Sequence, residues 1–409
     1  MAPQTNQRWL ILTQYYPPEI GAPQIRLHSL AQELQRHGIQ IEVLTAMPNY
    51  PVGKVFAGYE GRWQVREVID GIPVRRRWIY AATGKSARAR LLNYLTFTFI
   101  ALLVVLVERR PDMIFIESQP LSLGIVGVIM KWFRRVPYIY NIPDLQIDVA
   151  KQMGFMSNKI ILRTALGMEN LFLRQAFSVS TVTHRFIDHF TERGIPRSKI
   201  SFLPNGADAT FLRPTSPDVD MLNRWNLHGK KVFLYVGTHA YYHGLDTLIE
   251  AARLLRDRED VVILMVGSGP ERSRLQAIAN EYQLDNVVFG SSLYDEMARL
   301  YSVAYASVAT LRNIDVAKYM RLSKIFPSMS CAVPVIYAGV GEAAELIESE
   351  QVGLATEPEN PSALASTMIR LLNDPALRDR LGRNGRALIE REYAWSTITE
   401  KWLAEVCAD

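Results

Sequence analysis

Twice along the chain, short apolar runs typical of buried strands alternate with amphipathic runs of helix length. Near the start, RWLILTQYY and IQIEVLTAM have the pattern of strands, and the helical run between them stops at Gly38, a residue common after helix C-termini. The alternation begins again at KVFLYVG, after the turn-rich stretch 205–218. Strands that alternate with helices form parallel sheets, so the sequence predicts an α/β fold with two Rossmann-like domains, whose parallel, doubly wound sheets face a cleft.

The length of the chain also favours two domains. It has 409 residues, more than one ordinary hydrophobic core accommodates. We expect an N-terminal domain at 1–208 and a C-terminal domain at 209–385. Ligands of doubly wound sheets bind beyond the carboxyl ends of the strands, so the cleft is the expected site. The turn VGSGPE at 266–271 is of the kind whose backbone holds a phosphate or approaches a base edge.

Few residues have a pattern suited to metal binding or disulfides. The chain has two cysteines, Cys331 and Cys407, and their spacing fits neither kind of site, so we expect a reducing cytosolic setting. The N-terminus has too short an apolar stretch for a signal peptide. His239 and His243 have the spacing of a helical metal pair without a third ligand nearby, so no metal is expected and His243 is interpreted as a donor to a phosphate or as a plain loop residue.

Positive charge is concentrated in the first half. Residues 1–210 contain 25 Lys and Arg against 15 Asp and Glu, whereas the remainder contains 21 against 26. A basic cluster precedes the uncharged run LLNYLTFTFIALLVVLV at 91–107 and comprises Arg75, Arg76, Arg77, Lys85, Arg88 and Arg90. This composition predicts a helix packed on the sheet that touches an anionic membrane surface. A membrane-spanning helix and a plain solvated basic face are the alternatives, and no motif indicates nucleic acid binding.

Several segments, in their order and spacing, resemble the family 4 retaining glycosyltransferases of the GT-B fold over nearly the whole chain. They include YYPPEIGAPQIRLHSLAQELQRHGIQIEVLTAMPNYPVG, FLPNGAD, VGTHAYYHGLDTLIEAA, VGSGPERSRL, NVVFGSS and CAVPVIYAGVGEAAELI. The first segment is most similar to transferases that assemble colanic-acid-type exopolysaccharide or O-antigen units. The resemblance implies that the C-terminal domain binds a nucleotide sugar, that the N-terminal domain binds the acceptor, and that a final helix at 386–409 crosses back to the N-terminal domain.

The chain departs from the family at the donor site. Thr238 and His243 stand where the family has the arginine and lysine that clamp the diphosphate, and Tyr319 and Pro327 stand where it has two glutamates. Replacement cations are available in the loop that resembles the family's donor loop. They are Arg312, Lys318, Arg321 and Lys324, and the pair Ser323–Lys324 is similar to a serine-lysine pair of related transferases. Glu342 or Glu345 could replace the ribose carboxylate, although Glu345 is equally explained as a helix cap.

The resemblance gives a set of candidate residues in each domain. Those expected at the donor are Gly237, Thr238, His243, Gly267, Ser268, Gly290, Ser291, Leu293, Arg321, Ser323, Lys324, Glu342 and Glu345. Asp144 follows a strand of the N-terminal domain, where many relatives carry a histidine that faces the sugar; it is also explained as an N-cap, and the two roles can coexist. Gly21 and Ala22 lie in the loop expected across from the diphosphate. Arg75, Arg76, Arg77, Arg88 and Arg90 are the candidates for contact with a lipid acceptor and the membrane.

The expected function is therefore retaining glycosyl transfer from a nucleotide diphosphate sugar, UDP rather than GDP, to a lipid-linked saccharide in bacterial surface polysaccharide assembly. The enzyme would be cytoplasmic, peripheral on the inner face of the plasma membrane, and without cofactor or metal. Because the four family residues are absent, a nucleotide-sugar-binding subunit without transfer activity is an alternative. A nucleotide-sugar epimerase or phosphorylase on the same fold is another, because a fold does not name a reaction.

Overall fold

A computed structural model describes residues 6–19, 21–50, 53–81, 86–152, 154 and 158–407. The chain divides into two compact units, which are Met1–Pro204 with Ile398–Asp409, and Asn205–Thr397. The boundary between the units thus lies four residues before the predicted domain boundary at 208. Each unit contains one sheet covered by helices, as the alternation of strand and helix patterns predicts.

The first unit is built on an eight-stranded sheet. Its strands, β1 to β8, are Arg8–Leu12, Gln40–Ala46, Gln64–Ile69, Ile72–Arg77, Met113–Glu117, Tyr138–Ile142, Ser178–Thr181 and Ile200–Phe202. Their order in the sheet is β3-β4-β2-β1-β5-β6-β7-β8, and all neighbours are parallel except the hairpin β3–β4. The prediction of a parallel sheet is therefore correct except at this edge, where the tight turn at Asp70 and Gly71 makes the two strands antiparallel.

Six helices connect the strands of this sheet, and a seventh comes from the C-terminus. Helices α1 to α6 are Ala22–Arg36, Ala87–Val107, Gly124–Arg134, Gln146–Gln152, Lys159–Gln175 and His184–Glu192. Polar residues at the starts of three of them accept hydrogen bonds from first-turn amides, namely Ser86, Asn158 and Thr183. Thr183 comes two residues after the end of β7, so the start of α6 lies next to the carboxyl end of that strand.

The second unit has a six-stranded, fully parallel sheet. Its strands, β9 to β14, are Lys231–Val236, Val261–Val266, Val287–Gly290, Ala304–Thr310, Val335–Ala338 and Gly353–Thr356, in the order β11-β10-β9-β12-β13-β14. Helices α7 to α14 are Val219–Arg224, Asp246–Leu254, Arg272–Glu281, Met297–Ser302, Ile325–Ser330, Glu342–Ser349, Pro361–Asn373 and Pro375–Leu388. All six residues of β10 are buried, as in a sheet covered on both faces.

Pro327 lies inside helix α11 and not at its first residue. Helix α11 starts two residues earlier, at Ile325, and Pro327 is its third residue. The position remains within the first turn, where backbone N–H groups have no partner inside the helix. Proline therefore fits there without the loss of an intrahelical hydrogen bond.

In both sheets the order of strands reverses direction at one point. After β9 the chain adds β10 on one side, and later adds β12 on the other side of β9. In the first unit the same reversal occurs between β1 and β5. Loops that leave two such strands run in opposite directions and leave a crevice at the carboxyl edge, which is where ligands bind in open α/β sheets.

The last helix, α15 at Trp395–Cys407, continues from the second unit into the first. Its Trp402 is fully buried in the first unit, with edge-on ring contacts to Trp9 and Phe115. The indole N–H of Trp402 lies 2.9 Å from the hydroxyl of Ser180 and 3.1 Å from that of Ser201. This side chain thus joins the C-terminal segment to the core of the N-terminal unit.

Replacement of Trp402 is expected to destabilise the first unit strongly. Trp402→Ala removes a buried ring and leaves a cavity, at a cost of about 3–5 kcal/mol, measured by urea unfolding. Trp402→Phe keeps most of the ring packing and should cost less. Trp132→Ala, which removes an exposed indole, is the matched control. Equal unfolding free energies for the Trp402→Ala and Trp132→Ala variants would contradict this account of α15.

Candidate active site

The loops after β9, β10 and β11 are packed closely against one another at the carboxyl edge of the second sheet. Gly267 has a φ of 144°, and a Cβ there would lie 1.9 Å from the carbonyl oxygen of Gly237. Gly269, at φ 153°, would place a Cβ 2.4 Å from the carbonyl oxygen of His239. Only glycine fits at these two positions, because both contacts are with backbone and both φ values are positive.

Backbone groups of these turns are partly used within the protein. The amide of Gly267 donates to the carbonyl of Gly290, and the carbonyl of Ser268 accepts from the amide of His239. Arg272 donates to the carbonyls of Gly267 and Gly290, the latter at 2.9 Å. The structure thus brings together the predicted residues Gly237, Gly267, Ser268 and Gly290, held in place by an arginine that the sequence analysis did not select.

Lys324 lies at the start of α11, beyond the carboxyl end of β12. Its Nζ is 2.8 Å from the hydroxyl of Tyr235 and 3.5 Å from Nε2 of His243. The ammonium group also lies over the Tyr235 ring, 4.3 Å from its centre. A Cβ on Gly237 would come within 3.2 Å of Nζ. Two loops from opposite sides of the strand-order reversal therefore meet at this lysine.

Neutral groups are the only hydrogen-bond partners of Lys324 among the described residues. Burial lowers the pKa of its amine to about 7, and no carboxylate opposes this effect. The charged form of this side chain thus has no counter-anion among the described residues. Such a position is suited to a phosphate oxygen, which would supply the missing negative charge.

Two histidines lie beside this lysine. His239 and His243 are both buried, and three of their four ring nitrogens have no partner in the described structure: both of His239 and Nδ1 of His243. Burial, with the nearby charges of Arg272 and Lys324, lowers the pKa of His239 to about 4. Burial and Lys324 also lower the pKa of His243 well below its usual value. Both imidazoles are therefore neutral at physiological pH.

Arg321 and Glu342 were predicted to contact the donor, and the structure pairs them with each other instead. The two side chains form a buried ion pair, and Arg321 also donates to the hydroxyl of Tyr393 at 3.1 Å. Arg312 from the same loop is likewise paired, with Asp246 and Glu359. These arginines hold loops and helices together, and this was not predictable because their carboxylate partners are distant in sequence.

The remaining donor candidates are at or near the surface. Thr238, Ser291, Leu293 and Glu345 are exposed, whereas Ser323 is half-buried. The carbonyl of Thr238 accepts the hydrogen bond of the Tyr235 hydroxyl, which fixes the phenol beside Lys324. Glu345 lies in the first turn of α12, after Gly341. Among the described residues, no group of three or more His, Cys, Asp or Glu side chains is placed to hold a metal.

In the first unit, Asp144 follows β6 and is half-buried. Burial raises the pKa of Asp144 to about 6, against the opposing effects of the Leu145 amide and the charge of Arg26. Arg26 itself is paired with buried Glu117 at 2.5 Å. Gly21 and Ala22 form the N-terminus of α1, which lies after β1 and so beside the reversal of strand order in this sheet. These predicted residues thus lie at the carboxyl edge of the sheet.

Three arginines assigned to the membrane surface are instead part of the sheet, which corrects the prediction. Arg76 is fully buried, 2.5 Å from Glu67, and donates to backbone carbonyls. Arg75 and Arg77 both pair with Glu108, and Arg75 also pairs with a second glutamate. Strand β4 carries all three, so their charges are neutralised within the unit. Lys85 lies outside the described residues.

Helix α2 does present an apolar surface with basic residues at one end. Arg88 and Arg90 are exposed in its first turn. Its exposed apolar side chains, which we call the α2 apolar face, are Leu91, Leu92, Leu95, Phe99, Leu103 and Val107. The stretch Arg88–Val107 has the length and hydropathy of a helix that can cross a membrane, and 28% of it is buried in the protein. The buried side includes Asn93, which hydrogen-bonds to Gln14 and to the carbonyl of Tyr80.

Comparison with known proteins identifies both halves of the chain. Residues 21–206 match the glycosyl transferase 4-like domain, and residues 223–388 match the glycosyl transferases group 1. A protein of Escherichia coli K12 named as a colanic acid biosynthesis glycosyl transferase is 25% identical, with 94% of this chain and 95% of that protein covered. The O-antigen chain mannosyltransferase C of Escherichia coli is 22% identical, with 93% and 92% covered.

Solved structures show the same fold at low sequence identity. Sucrose-phosphate synthase from Thermosynechococcus elongatus has a TM-score of 0.76 at 21% identity, and 96% of each chain is covered. The Anabaena protein HepE in complex with UDP-glucose has a TM-score of 0.73 at 19% identity, with 97% of this chain and 98% of that chain covered. The two-domain α/β architecture predicted from the sequence is confirmed by these neighbours.

The Arg321–Glu342 pair is expected to be structural, and a double-mutant cycle tests this. Arg321→Ala removes the ion-pair partner of a buried carboxylate and should destabilise the second unit by about 3–5 kcal/mol. Arg321→Ala with Glu342→Ala should cost less than the sum of the two single changes. The exposed pair Arg391–Glu350 is the control, with an expected loss of about 0–1 kcal/mol. Additive effects at Arg321 and Glu342 would contradict a coupled pair.

Proposed function

We propose that this chain is a group 1 glycosyltransferase with the GT-B fold, that it transfers a sugar from a nucleotide diphosphate sugar, and that it binds the diphosphate at Lys324. The observation that carries the proposal is a lysine without a counter-anion where the strand order reverses. The complex of a structural neighbour with UDP-glucose supports this ligand class. UDP is favoured over GDP as the nucleotide, although one relative is named as GDP-mannose-dependent.

The charge at Lys324 suits the chemistry of glycosyl transfer. As the bond from the sugar to the diphosphate breaks, negative charge grows on the leaving phosphate oxygens. The Lys324 ammonium would stabilise that charge, while the amides of the neighbouring turns would hold the nucleotide end. We propose that the anomeric configuration is retained, with the leaving phosphate accepting the proton of the acceptor hydroxyl on the same face.

In the first unit, Asp144 is proposed to orient the sugar or the acceptor hydroxyl. It lies after β6, and with a pKa of about 6 it is mostly ionised at pH 7, so that it can accept a hydrogen bond from a hydroxyl. The N-terminus of α1 at Gly21 and Ala22 is proposed to face the diphosphate. No metal is required in this scheme, because lysine and amide donors would compensate the phosphate charge.

The acceptor is proposed to be a lipid-linked saccharide at the cytoplasmic face of the plasma membrane, used in surface polysaccharide assembly. Two relatives are named for colanic acid and O-antigen synthesis. In this chain, the α2 apolar face and the exposed Arg88 and Arg90 have the composition of a helix that lies in a membrane interface. The arginines would attract anionic headgroups, and Phe99 and its neighbours would enter the apolar region.

Binding of nucleotides tests the proposed donor site. A nucleotide at 100 times its dissociation constant stabilises the protein by about 2.7 kcal/mol, which a thermal-shift panel of UDP, GDP, ADP and TDP would detect. Lys324→Ala removes a charged hydrogen bond worth about 1.5–3 kcal/mol, so the affinity should fall roughly 10- to 100-fold. Lys230→Ala, at an exposed lysine of the same unit, should bind as the wild type does.

Two results of this panel would change the assignment. If no nucleotide shifted the melting temperature, the assignment of the donor site would be wrong. If a nucleotide bound but no sugar from the matching nucleotide sugar entered lipid-extractable material, the chain would be a binding subunit without transfer activity. That alternative is motivated by Thr238 and His243, which stand in place of the family's charged clamp.

Vesicle binding tests the membrane surface. Leu95→Asp with Phe99→Asp removes two apolar contacts of about 1.5–3 kcal/mol each, so the affinity for vesicles containing anionic lipid should fall at least 100-fold in a flotation assay. Arg88→Ala with Arg90→Ala should weaken binding less, and mainly at low salt. Val219→Asp changes an exposed apolar residue of the second unit and is the control. Equal flotation of the Leu95→Asp/Phe99→Asp variant and the wild type would exclude this surface.

A further inference from the structure

Several basic side chains lie close together in the donor site, and burial prevents all of them from being positively charged when no ligand is bound. Lys324 lies beside His243, and the charges of Lys324 and Arg272 both act on His239. Arg272 donates from one guanidinium nitrogen, Nη1, to the carbonyls of Gly267 and Gly290. No acidic side chain among the described residues compensates Lys324 or the imidazoles. Burial and mutual repulsion therefore favour the neutral forms of the other three groups.

The hydrogen bonds around Lys324 leave one direction open. An ammonium group has three N–H donors, and two acceptors are in reach: the Tyr235 oxygen and Nε2 of His243. The Tyr235 phenol donates its own hydrogen to the Thr238 carbonyl at 2.8 Å, so its oxygen can accept from the lysine. The third N–H of a charged Lys324 has no acceptor in the described structure. A phosphate oxygen would complete the set.

We propose that the diphosphate of the donor binds together with a proton, which is taken up by Lys324, so that under alkaline conditions the amine is neutral in the empty site and charged in the occupied site. This inference rests on the proposed function, since it concerns the same diphosphate site. His243 is then an additional residue of the site, because its Nε2 provides an acceptor for Lys324 once the amine is charged.

The other groups around Lys324 are poorer sites for this proton. Burial raises the pKa of Tyr235 well above 10, so its phenol keeps its hydrogen throughout. His239 and His243 have pKa values further below neutrality than that of Lys324. In the same loop, Arg321 and Glu342 are paired with each other. A nearby diphosphate stabilises whichever group charges most easily, which is the lysine.

The direction of the pH dependence follows from the two states. In the empty site, burial lowers the pKa of the Lys324 amine to about 7, and the negative charge of the ligand raises this pKa. Donor binding therefore weakens as pH rises above about 7, because a smaller fraction of Lys324 is protonated before the donor binds. For a bound-state pKa about two units higher, uptake is about 0.8 proton at pH 8 and about 0.1 at pH 6, and affinity falls more than tenfold between pH 7 and pH 9.

The test is calorimetric titration with UDP-glucose and with GDP-mannose at pH 6 and pH 8, each in two buffers with different ionisation enthalpies. A nucleotide sugar lacks the phosphate monoester proton that titrates near pH 6. Any proton that the buffer supplies on binding is therefore bound by the protein and not by the ligand. The difference in heat between the buffers gives the number of protons bound. We expect about 0.8 at pH 8 and about 0.1 at pH 6 for the wild-type enzyme.

Two variants assign the proton to its group. Lys324→Arg places a permanent charge in the site, so its binding should show almost no proton uptake and a flat pH profile. Lys230→Arg, a matched change at an exposed lysine, should keep the wild-type uptake. Uptake that persisted in Lys324→Arg would overturn the assignment to Lys324, and wild-type binding without uptake would overturn the inference alone. Binding of neither nucleotide sugar would instead contradict the proposed function, and this inference with it.

Discussion

The reversal of strand order at β9 and β12 determines where the chemistry of the second unit is placed. On one side of this point the chain leaves β9 through the segment of His239 and His243, and on the other it leaves β12 toward Lys324. Because the strands are parallel, both segments emerge at the same edge, and residues far apart in sequence come within hydrogen-bond distance. The close packing of the glycine turns after β9 and β10 then fixes the backbone beside them.

Fold-level features could be predicted because they depend on patterns local in sequence. The alternation of apolar strands with amphipathic helices indicated two doubly wound sheets, and glycines and capping residues marked many element ends. The antiparallel edge strand β3 was not predicted, since its exposed residues lack a continuous apolar run. Proline is tolerated anywhere in the first turn of a helix, so Pro327, the third residue of α11, marks the region of the helix start and not its boundary.

Individual charges could not be placed from the sequence, because their partners come from other elements. The arginines of β4 illustrate this: Arg76 pairs with Glu67 across the hairpin, and Arg75 and Arg77 pair with Glu108 at the end of α2. The alternation of side chains along a strand did imply that Arg76 points away from the other two. If Ile72–Arg77 is taken as a strand, this alternation shows that its three consecutive arginines cannot all face one membrane surface.

Arg321 and Lys324 are only three residues apart, and their partners distinguish a structural cation from the one that we propose binds the donor. Arg321 has its own carboxylate in Glu342, and a ligand phosphate would have to compete with that pair. Lys324 has a phenol and an imidazole, which hold its position without neutralising its charge. A carboxylate beside Lys324 would make the empty protein more stable, but it would also repel the diphosphate. The neutral partners of Lys324 therefore make the empty protein less stable than a carboxylate would. They also leave the lysine available to pair with a phosphate, a compromise typical of binding sites.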